Sequence, residues 1–468
     1  MAHLSRELIL CKMISSASSI RQTRRCLHNR RYVTKMFQNF GKVQPAVTEF
    51  TCSSQKLMLY NEVIQSCHSG SYHMLPLGLR ALEKLIKIID QEMQVIGGQK
   101  IAMPTLATAV VWKKSGRWKE AGAELFKLKD RHSIEYCLGP THEEVVTGLF
   151  SSVSPVSYRR LPLLLYQITR KFRDEMAPKY GLLRGREFEM KDMYTFDSTE
   201  ECARETYSSV CQAYCKIFDR LGVKYVKAAG DTGNIGGTMS HEFHLPAEVG
   251  EDTLLVCDRC GFSSNIELLE NDAKSDFKKF CPNKENDCDM KKSHGIEVGH
   301  AFLLGTKYSS VFGANCQTET GQVEPAQMGC YGLGVTRILQ GCVEVLSSSK
   351  QIHWPGLVAP YQVCIIPQKE GYEADTLFRL ANDLSDQLTS MANLSGEVVI
   401  DDRTQMTIGK RLYEARRLGY PYIVVIGRKA LEAEPQYEVI HTQDAEPVFL
   451  SRDQLQHRLA SVDTVSLS

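Results

Sequence analysis

The sequence predicts a large α+β domain followed by a small α/β domain. Two strand patterns, at residues 163–172 and 186–196, are neighbours in the chain and are joined by a loop that contains a proline and two glycines. Amphipathic helical patterns lie on either side of this pair, at residues 82–93 and 207–221. After residue 354 strand patterns alternate with helical ones, which is typical of a small α/β unit.

The composition is that of a globular protein with almost no overall charge. Hydrophobic residues make up 43% of the chain, charged residues 24%, and the formal net charge is +1. Any nucleic-acid binding must therefore come from local basic patches. No apolar run is long enough for a transmembrane helix. The sixteen cysteines are scattered, which favours reduced thiols over a disulfide scaffold.

The first forty residues differ from the rest of the chain because they are rich in arginine and serine and poor in acids. Glu7 is the only acidic residue before Glu49. This composition predicts a mitochondrial transit peptide at residues 1–40. A basic arm that binds RNA is the alternative. Apolar residues at positions 8–14 allow an amphipathic helix and favour targeting.

A long helix should open the globular part. Pro76 and Gly78 mark its entry, and a short strand with Pro104 follows it. Its apolar residues recur at helical spacing, at Leu82, Leu85, Ile86, Ile89 and Met93. This face is expected to be buried, either in the core or at an interface.

The segment LGPTHEE, residues 138–144, combines a hydroxyl with carboxylates. Thr141 and Glu143 share a face if the segment is extended, and such a pair suits recognition of an ammonium group. The same residues also read as a helix start with acids in the first turn. In isolation the helix start is the favoured interpretation. Glu144 is expected to serve the helix in either case.

The strand pair at 163–196 brings charged side chains and an aromatic ring together. Strand parity places Arg173 and Glu175 on one face, and Arg184, Arg186 and Phe188 on one face of the returning segment. Arginine forks suit phosphate, a carboxylate can accept from an adenine amino group, and Phe188 can stack on a purine. The pattern is compatible with a nucleotide site built on a sheet. From parity alone, a charged surface hairpin is the favoured alternative.

Two further segments carry possible site residues. The glycine-rich residues 229–237 predict a tight turn before His241, although a single histidine is more often structural. Residues 329–334 predict a second glycine-rich turn, followed by an apolar helix that contains Arg337. The glycine spacing is wrong for a dinucleotide-binding fold. Residues 296–312, which precede this turn, predict paired strands.

Four cysteines between these segments could hold a zinc ion. Cys257 and Cys260 form a CxxC motif, and Cys281 and Cys288 follow. The second pair is spaced too widely for a regular zinc knuckle, so the sequence by itself assigns no metal.

Several of these segments resemble the class II aminoacyl-tRNA synthetases. FRDE (172–175) followed by RGREF (184–188) resembles motif 2 of that class. The helix and proline-containing strand near residues 82–104 resemble motif 1, and MGCYGLGVTR (328–337) resembles motif 3. The surrounding residues, including LGPTHEE, are similar to the prolyl-tRNA synthetase family of the bacterial and organellar type.

The resemblance implies an ATP site and a proline site. Arg173 would bind the α-phosphate and the amino-acid carboxylate, and Arg337 the γ-phosphate; these are the implied catalytic residues. The remaining ATP contacts would be Glu175 to the adenine amino group, Arg184 to the outer phosphates and Phe188 to the adenine ring. The implied proline-site residues are Thr141, Glu143, His241 and Cys330. Mg²⁺ would accompany ATP.

The resemblance also implies the domain organisation. Residues 50–353 would form the catalytic domain, with an antiparallel sheet flanked by helices, and residues 358–468 an α/β anticodon-binding domain. The expected partners are tRNA(Pro) and a second copy of the chain, and the expected location is the mitochondrial matrix. Basic residues that could contact tRNA are Arg403, Lys410, Arg411, Arg416 and Arg417.

One departure from the family concerns editing. Bacterial-type members carry a large insertion between motifs 2 and 3 that hydrolyses mischarged alanine. Here only a short linker, at about residues 250–295, occupies that position. We therefore expect no editing activity.

Two alternatives to a prolyl enzyme remain. A non-catalytic paralogue that binds nucleic acid would be expected to lack Arg173, Glu175 or Arg337, and all three are present. A synthetase for threonine, glycine or serine is disfavoured by the GPTHEE and GCYG segments.

Overall fold

The computed structural model describes residues 30–37, 52–269, 281–282, 288–442, 444 and 446–467. The chain divides into two compact units. The larger contains the described residues between 41 and 358, and the smaller contains those between 359 and 466 together with residues 30–37. Within the described part, no helix is both long and apolar enough to span a bilayer.

The larger unit is built on a nine-stranded sheet. Its helices are α1 (Ser53–Tyr60), α2 (Pro76–Val95), α3 (Ala109–Lys114), α4 (Arg117–Glu120), α5 (Glu143–Ser151), α6 (Glu200–Leu221), α7 (Lys307–Phe312) and α8 (Val335–Leu346). Its strands are β1 (Ile64–His68), β2 (Ser71–Met74), β3 (Gln99–Lys100), β4 (Leu106–Thr108), β5 (Lys127–Lys129), β6 (Glu135–Leu138), β7 (Val156–Ser157), β8 (Leu163–Phe172), β9 (Glu187–Asp197), β10 (Val226–Ala229), β11 (Met239–Pro246), β12 (Asp252–Cys257), β13 (Ser263–Asn265), β14 (Met290–Gly305), β15 (Asn315–Gln317), β16 (Val323–Pro325) and β17 (Gln327–Gly334).

The sheet order is β11-β10-β13-β12-β14-β17-β9-β8-β3, with an additional pairing of β11 with β14. All neighbours are antiparallel except β10 with β13 and β3 with β8. The predicted strand pair is confirmed: β8 spans Leu163–Phe172, and its register with β9 runs from Leu163 opposite Phe196 to Phe172 opposite Glu187.

The predicted glycine turn at residues 329–334 is wrong, because these residues form β17 in the middle of the sheet. A Cβ atom on Gly329 would lie 2.3 Å from the Tyr331 hydroxyl and 2.9 Å from Oγ1 of Thr195. Glycine is therefore required here by close packing rather than by a turn. A Cβ atom on Gly332, by contrast, would have Sδ of Met190 as its nearest neighbour at 3.8 Å, so this glycine leaves space above the sheet.

The two long helices, α2 and α6, pack against each other on one side of the sheet. In α2 the predicted apolar face is buried at Leu82, Leu85, Ile89 and Met93, whereas Ile86 is partly exposed and Ile88 is buried in its place. The helix α6 begins after Thr199, whose hydroxyl accepts from the Cys202 N–H at 3.2 Å.

The segment before motif 3 differs from its prediction. Residues 296–312 do not form paired strands; they form the second half of β14 and then the helix α7. The segment expected to be a short linker, residues 250–295, contains β12, β13 and the start of β14 among its described residues. These strands belong to the large sheet.

The smaller unit has a five-stranded mixed sheet. Its elements are β18 (Val363–Pro367), α9 (Ala374–Ser390), β19 (Val398–Ile400), α10 (Ile408–Leu418), β20 (Tyr422–Ile426), β21 (Tyr437–His441), β22 (Val448–Leu450) and α11 (Arg452–Ala460). The strand order is β19-β18-β20-β21-β22. The first three strands are parallel, as the alternating pattern predicts, and the last two add an antiparallel edge.

Part of the predicted transit peptide packs on this smaller unit. Tyr32 forms a parallel bridge with Ile400, whose N–H donates to the carbonyl of Arg31 at 2.8 Å. Arg30 donates to both carboxylate oxygens of Asp386, at 2.7 and 2.6 Å. Residues 1–29 and 38–40 of the predicted segment lie outside the described residues.

Candidate active site

A cavity of about 310 Å³ lies over the centre of the large sheet. Strands β9, β14 and β17 supply most of its wall, and Glu143 at the start of α5 and Arg337 in the first turn of α8 also line it. A second cavity, of about 270 Å³, adjoins it. Arg173, Leu183, Glu297 and Arg337 line both, so the two cavities share a wall.

Three predicted ATP-binding arginines come together at the second cavity: Arg173, Arg184 and Arg337 all line it. Burial lowers the pKa of Arg173, and the like charge of Arg337 lowers it further. The guanidinium carbon of Arg173 lies 5.4 Å from the centre of the Phe188 ring. Concentrated positive charge beside an aromatic face suits an anionic ligand that has a planar ring.

Glu297, on β14, is an acidic residue in this basic surrounding that the sequence prediction missed. Burial by itself would raise its pKa, but the hydrogen bond and charge of His300, with the charges of Arg337 and His244, lower it to about 2. Its backbone carbonyl accepts from Nη1 of Arg337 at 2.9 Å. The carboxylate is therefore ionised at neutral pH and is a candidate ligand for a hard cation.

Glu175 and Arg184, predicted to contact different parts of ATP, contact each other here. Nη2 of Arg184 donates to Glu175 at 2.9 Å, and Nη1 donates to Glu251 at 2.6 Å. A phosphate that binds Arg184 must compete with these carboxylates. Both ion pairs are partly exposed, so each contributes about 0–1 kcal/mol and is readily exchanged.

The parity argument for the returning segment is only partly confirmed. Phe188 faces the first cavity, but Arg186 lines neither cavity and instead pairs with Asp174. The physical reason is that β9 begins only at Glu187. Residues 184–186 lie in the preceding loop, where side chains do not alternate between two faces.

Thr141 and Glu143 lie together in the first cavity. The hydroxyl of Thr141 donates to the Glu143 carboxylate at 2.7 Å, and both side chains are largely buried. The helix α5 begins at Glu143. The predicted helix start is confirmed, and the hydroxyl and the carboxylate both line the first cavity. Their recognition of an ammonium group stays a prediction.

Arg117, in α4, supports this pair from behind and was not anticipated from the sequence. Its Nη1 atom donates to Glu143 at 3.1 Å and to Glu144 at 3.0 Å. Burial would lower the pKa of Arg117, but the two carboxylates raise it above its usual value. Glu144 therefore belongs to a buried ion pair rather than only to the helix start, and Arg117 fixes the position of Glu143.

A polar network beneath the cavity holds the Thr141 loop. The Tyr194 hydroxyl accepts from the His142 N–H at 2.8 Å and donates to Asp192 at 2.9 Å. Asp192 also binds the buried Lys171 at 2.7 Å. The sequence signal for this network is the run of polar residues within an otherwise buried strand, since a buried charge in a sheet needs a partner.

His241 does not line either cavity. Its Nδ1 atom lies 2.8 Å from the Tyr207 hydroxyl, and burial, then the charges of Lys227 and His300, lower its pKa to about 4. The histidine that reaches the cavity is His300, whose ring stacks on Phe302 at 3.9 Å between centroids. Cys330 does line the cavity, and burial raises the pKa of its thiol well above the usual value.

The predicted tRNA-contact residues fall into two groups. Arg403 and Arg411 are buried and occupied: Arg403 pairs with Asp401 at 2.6 Å, and Arg411 donates to the Pro367 carbonyl at 2.7 Å. These two arginines stabilise the smaller unit, so their prediction as phosphate contacts is not supported. Lys410 and Arg416 are exposed, and Arg417 is half-buried.

The fold and the cleft define a class II aminoacyl-tRNA synthetase. The profile of the tRNA synthetase class II core domain (G, H, P, S and T) matches residues 126–346, and that of the anticodon binding domain matches residues 362–461. The catalytic core is thus followed by an anticodon-binding domain, as expected.

Within this class, the similarity extends along nearly the whole chain. The chain is 49% identical to the "Probable proline--tRNA ligase, mitochondrial" of Rattus norvegicus, covering 98% of this chain and 99% of the relative. It is 50% identical to the Homo sapiens protein of the same name, covering 90% and 88%. The chain belongs to the proline--tRNA ligase family.

Solved structures agree with this fold. The prolyl-tRNA synthetase of Giardia lamblia, in complex with prolyl-adenylate, superposes with a TM-score of 0.70 at 20% identity, covering 86% of this chain and 73% of that one. The Cryptosporidium parvum enzyme, with L-proline and AMP, also gives a TM-score of 0.70, at 19% identity over 91% of this chain and 79% of that one.

Proposed function

We propose that this chain attaches L-proline to tRNA(Pro) at the expense of ATP, through a prolyl-adenylate intermediate, for mitochondrial translation. The observation that carries the proposal is the shared wall of the two cavities. Arg173 lies between a cationic cleft that includes Arg184 and Arg337 and a cavity that presents Thr141 and Glu143. ATP and proline bound in these cavities would meet at Arg173.

In the first step, a carboxylate oxygen of proline attacks the α-phosphorus of ATP, and pyrophosphate leaves. The proline carboxylate is already ionised near neutral pH, so the step needs no general base. Catalysis then consists of positioning and of neutralising charge on the phosphates. Arg173 binds both reacting groups, Arg337 binds the γ-phosphate, and Arg184 binds the outer phosphates after leaving its carboxylate partners.

The adenosine end of ATP is held across the shared wall, by Glu175 of the second cavity and Phe188 of the first. The carboxylate of Glu175 accepts from the adenine amino group, and the Phe188 ring stacks on the base. Because Phe188 already lies beside the Arg173 guanidinium, the base is placed next to the α-phosphate site.

Proline is recognised at the start of α5. Its secondary ammonium group donates to Thr141 and Glu143, and the Glu143 carboxylate supplies the opposite charge. Arg117 holds that carboxylate in place from the side away from the cavity. Cys330 borders the pocket together with Phe302 and His300, and His241 is replaced in this role by His300.

Mg²⁺ fits the charge pattern of the cleft. The Glu297 carboxylate, with a pKa of about 2, lies at the wall common to both cavities. Mg²⁺ is commonly bound by one or two carboxylates together with substrate phosphates. When bound, the ion would offset phosphate charge, and Glu297 is the residue that would hold it.

In the second step, a hydroxyl of the terminal ribose of tRNA attacks the prolyl carbonyl, and AMP leaves. The anticodon-binding domain is the expected recognition element for tRNA. Its helix α10 carries the exposed side chains of Lys410 and Arg416, which can reach phosphates, together with the half-buried Arg417.

We also infer a homodimer and a location in the mitochondrial matrix. The dimer is supported by the resemblance of α2 to motif 1 and by two exposed apolar side chains on that helix, Leu79 and Val95. The matrix is supported by the basic, acid-poor N-terminus and by the names of the relatives. Light scattering of the purified chain and fractionation of mitochondria check these two inferences.

The function is tested by amino-acid-dependent exchange of pyrophosphate into ATP. Proline should support exchange, whereas threonine, glycine and serine should not. Arg173→Ala should reduce proline-dependent exchange by about a hundredfold to a thousandfold, because the loss of preorganised charge at a transition state costs about 3–4 kcal/mol.

Arg204→Ala is the matched control, because Arg204 is an exposed arginine on α6 whose partner is Glu200 one helical turn away. It should exchange at the wild-type rate. Near-normal exchange by Arg173→Ala, or faster exchange with another amino acid than with proline, would contradict the proposed function.

A further inference from the structure

Four thiols that lie outside the active site converge at one point of the larger unit. The Sγ atoms of Cys257, Cys260, Cys281 and Cys288 all lie within 4.8 Å of one another. In a tetrahedral zinc site with Zn–S distances of about 2.3 Å, the sulfur atoms are about 3.8 Å apart. The observed cluster thus needs only small side-chain adjustments to reach that geometry.

The first two cysteines are held by a tight turn after β12. The N–H of Cys257 donates to the Phe262 carbonyl at 2.9 Å, and the N–H of Gly261 donates to the Cys257 carbonyl at 3.0 Å. Gly261 has a φ of 74°, a conformation that glycine adopts without strain. This backbone turns both sulfurs of the CxxC motif toward the same side.

The other two cysteines come from the chain that leads into β14. Cys288 lies two residues before Met290, the first residue of β14, and Met290 pairs with Cys257 across the sheet. Cys281 is buried in an apolar cluster with Leu255 and Leu269. The wide sequence spacing between Cys281 and Cys288 does not match a regular zinc knuckle. The fold nevertheless brings both sulfurs to the same point as those of Cys257 and Cys260.

The cluster is poorly explained as a disulfide pair or as simple core packing. The sulfurs of Cys260 and Cys281 are 3.3 Å apart, compared with about 2.05 Å for a disulfide bond. Cys260 is exposed, so burial of an apolar side chain does not account for its position. Four thiols from two chain segments facing one point match the ligand set of a structural zinc site.

We propose that these four thiolates bind one Zn²⁺ ion and thereby fasten the start of β14 to the turn after β12. Four protein ligands close the coordination shell, so the ion has a structural role rather than a catalytic one. On binding, each thiol gives its proton to solvent, and four Zn–S bonds form without any change of oxidation state. The second half of β14 carries Glu297 and His300, so the ion would stabilise a strand that lines the cleft. Zinc binding by this cluster is independent of which amino acid the enzyme activates.

The experiment measures metal in the full-length chain purified under reducing conditions. Elemental analysis should give about one zinc per chain. Replacement of zinc by Co²⁺ should produce the intense visible bands and the thiolate-to-cobalt charge-transfer bands of a tetrahedral tetrathiolate site. Cys260→Ser combined with Cys288→Ser, which removes one ligand from each pair, should lower the zinc content at least tenfold and abolish these bands.

Cys67→Ser is the matched control, because Cys67 is an exposed cysteine on β1 and lies outside the cluster. It should retain full zinc content and the same cobalt spectrum. A wild-type chain without zinc, an octahedral cobalt spectrum, or equal zinc loss in the control would overturn the proposal. Pyrophosphate exchange measured on the same samples reports the proposed function separately, so either idea can fail alone.

Discussion

At the scale of single residues, some of the predicted site residues line a cavity, whereas others only stabilise the surrounding fold. His241 and His300 lie on neighbouring strands, yet only His300 lines the cavity. The sequence offered no means of distinguishing them, because the side of the sheet that each ring faces depends on pairing with β14. Arg403 and Arg411 were likewise indistinguishable from surface arginines, since their burial arises from contacts with Asp401 and Pro367.

Lys191, a buried residue of β9, gives a prediction about pH and stability. Burial lowers its pKa to about 7, and its ammonium group donates to the Tyr331 carbonyl at 3.1 Å. In the unfolded chain its pKa is about 10.4. Between these two values the unfolded chain binds more protons than the folded one, so this residue makes stability rise with pH, by at most about 1.4 kcal/mol per pH unit.

We expect Lys191→Met to remove this increase. From about pH 7.5 to about pH 9, the free energy of unfolding of the wild type relative to the variant should rise by up to about 2 kcal/mol. Urea unfolding followed by tryptophan fluorescence measures this in the larger unit, because Trp112, Trp118 and Trp354 all lie there. Lys224→Met, which replaces an exposed lysine, is the control. The difference in free energy of unfolding between the wild type and this variant should not change with pH. A pH-independent difference for Lys191→Met would contradict the assignment.

At the scale of elements, periodicity predicted the strands and long helices well. The limits of β8 and the buried face of α2 follow from local patterns of apolar residues. The glycine-rich β17 could not be recognised, because its glycines are required by neighbouring side chains such as Tyr331 rather than by local backbone conformation. Arg117 was missed for the same reason: its partners Glu143 and Glu144 are distant in sequence.

The N-terminal segment at residues 30–37 gives a prediction at this scale. Deletion of residues 1–29 should leave the smaller unit as protected from hydrogen exchange as in the full chain. Deletion of residues 1–37 removes the Arg31 carbonyl that accepts from the Ile400 N–H, so exchange in β19 should become faster. We expect a local loss of about 1–3 kcal/mol.

Hydrogen exchange followed by mass spectrometry compares the two truncated chains directly. Arg30→Ala, which breaks the ion pair with Asp386, should give an intermediate result. Equal protection of β19 in both truncated chains would show that this segment contributes nothing to the unit. If the prediction holds, a targeting peptide can be removed without loss of stability only when the cleavage site lies before Arg30.

At the scale of the whole molecule, the order of motifs along the chain was sufficient to predict a catalytic core followed by an anticodon-binding domain. The two cavities could not be predicted, since their walls combine residues from 124 to 337. The cysteine cluster likewise depends on the pairing of β12 with β14, which is not apparent from the spacing of the cysteines.

The short segment between motifs 2 and 3 leads to a prediction about accuracy. We expect the purified chain not to hydrolyse alanyl-tRNA(Pro), because residues 250–295 leave no room for a separate hydrolytic domain. The proline pocket alone can reject the smaller alanine by only about 1–3 kcal/mol. Alanine should therefore be activated with a kcat/KM lower by roughly 10–200-fold.

Release of alanine from preformed alanyl-tRNA(Pro) is the measurement. A family member that carries the insertion serves as the positive control. Enzyme-dependent release above the spontaneous rate would contradict the expectation.

The smaller unit takes chain from both ends of the protein, and this arrangement restricts the order of events during synthesis. Residues 30–37 leave the ribosome before the catalytic core, but the strand they pair with, β19, follows more than three hundred residues later. The catalytic sheet can therefore begin to form while the anticodon-binding domain is still missing most of its sheet. A chain that stops early would carry a nearly complete catalytic core and a tRNA-recognition domain that has never folded.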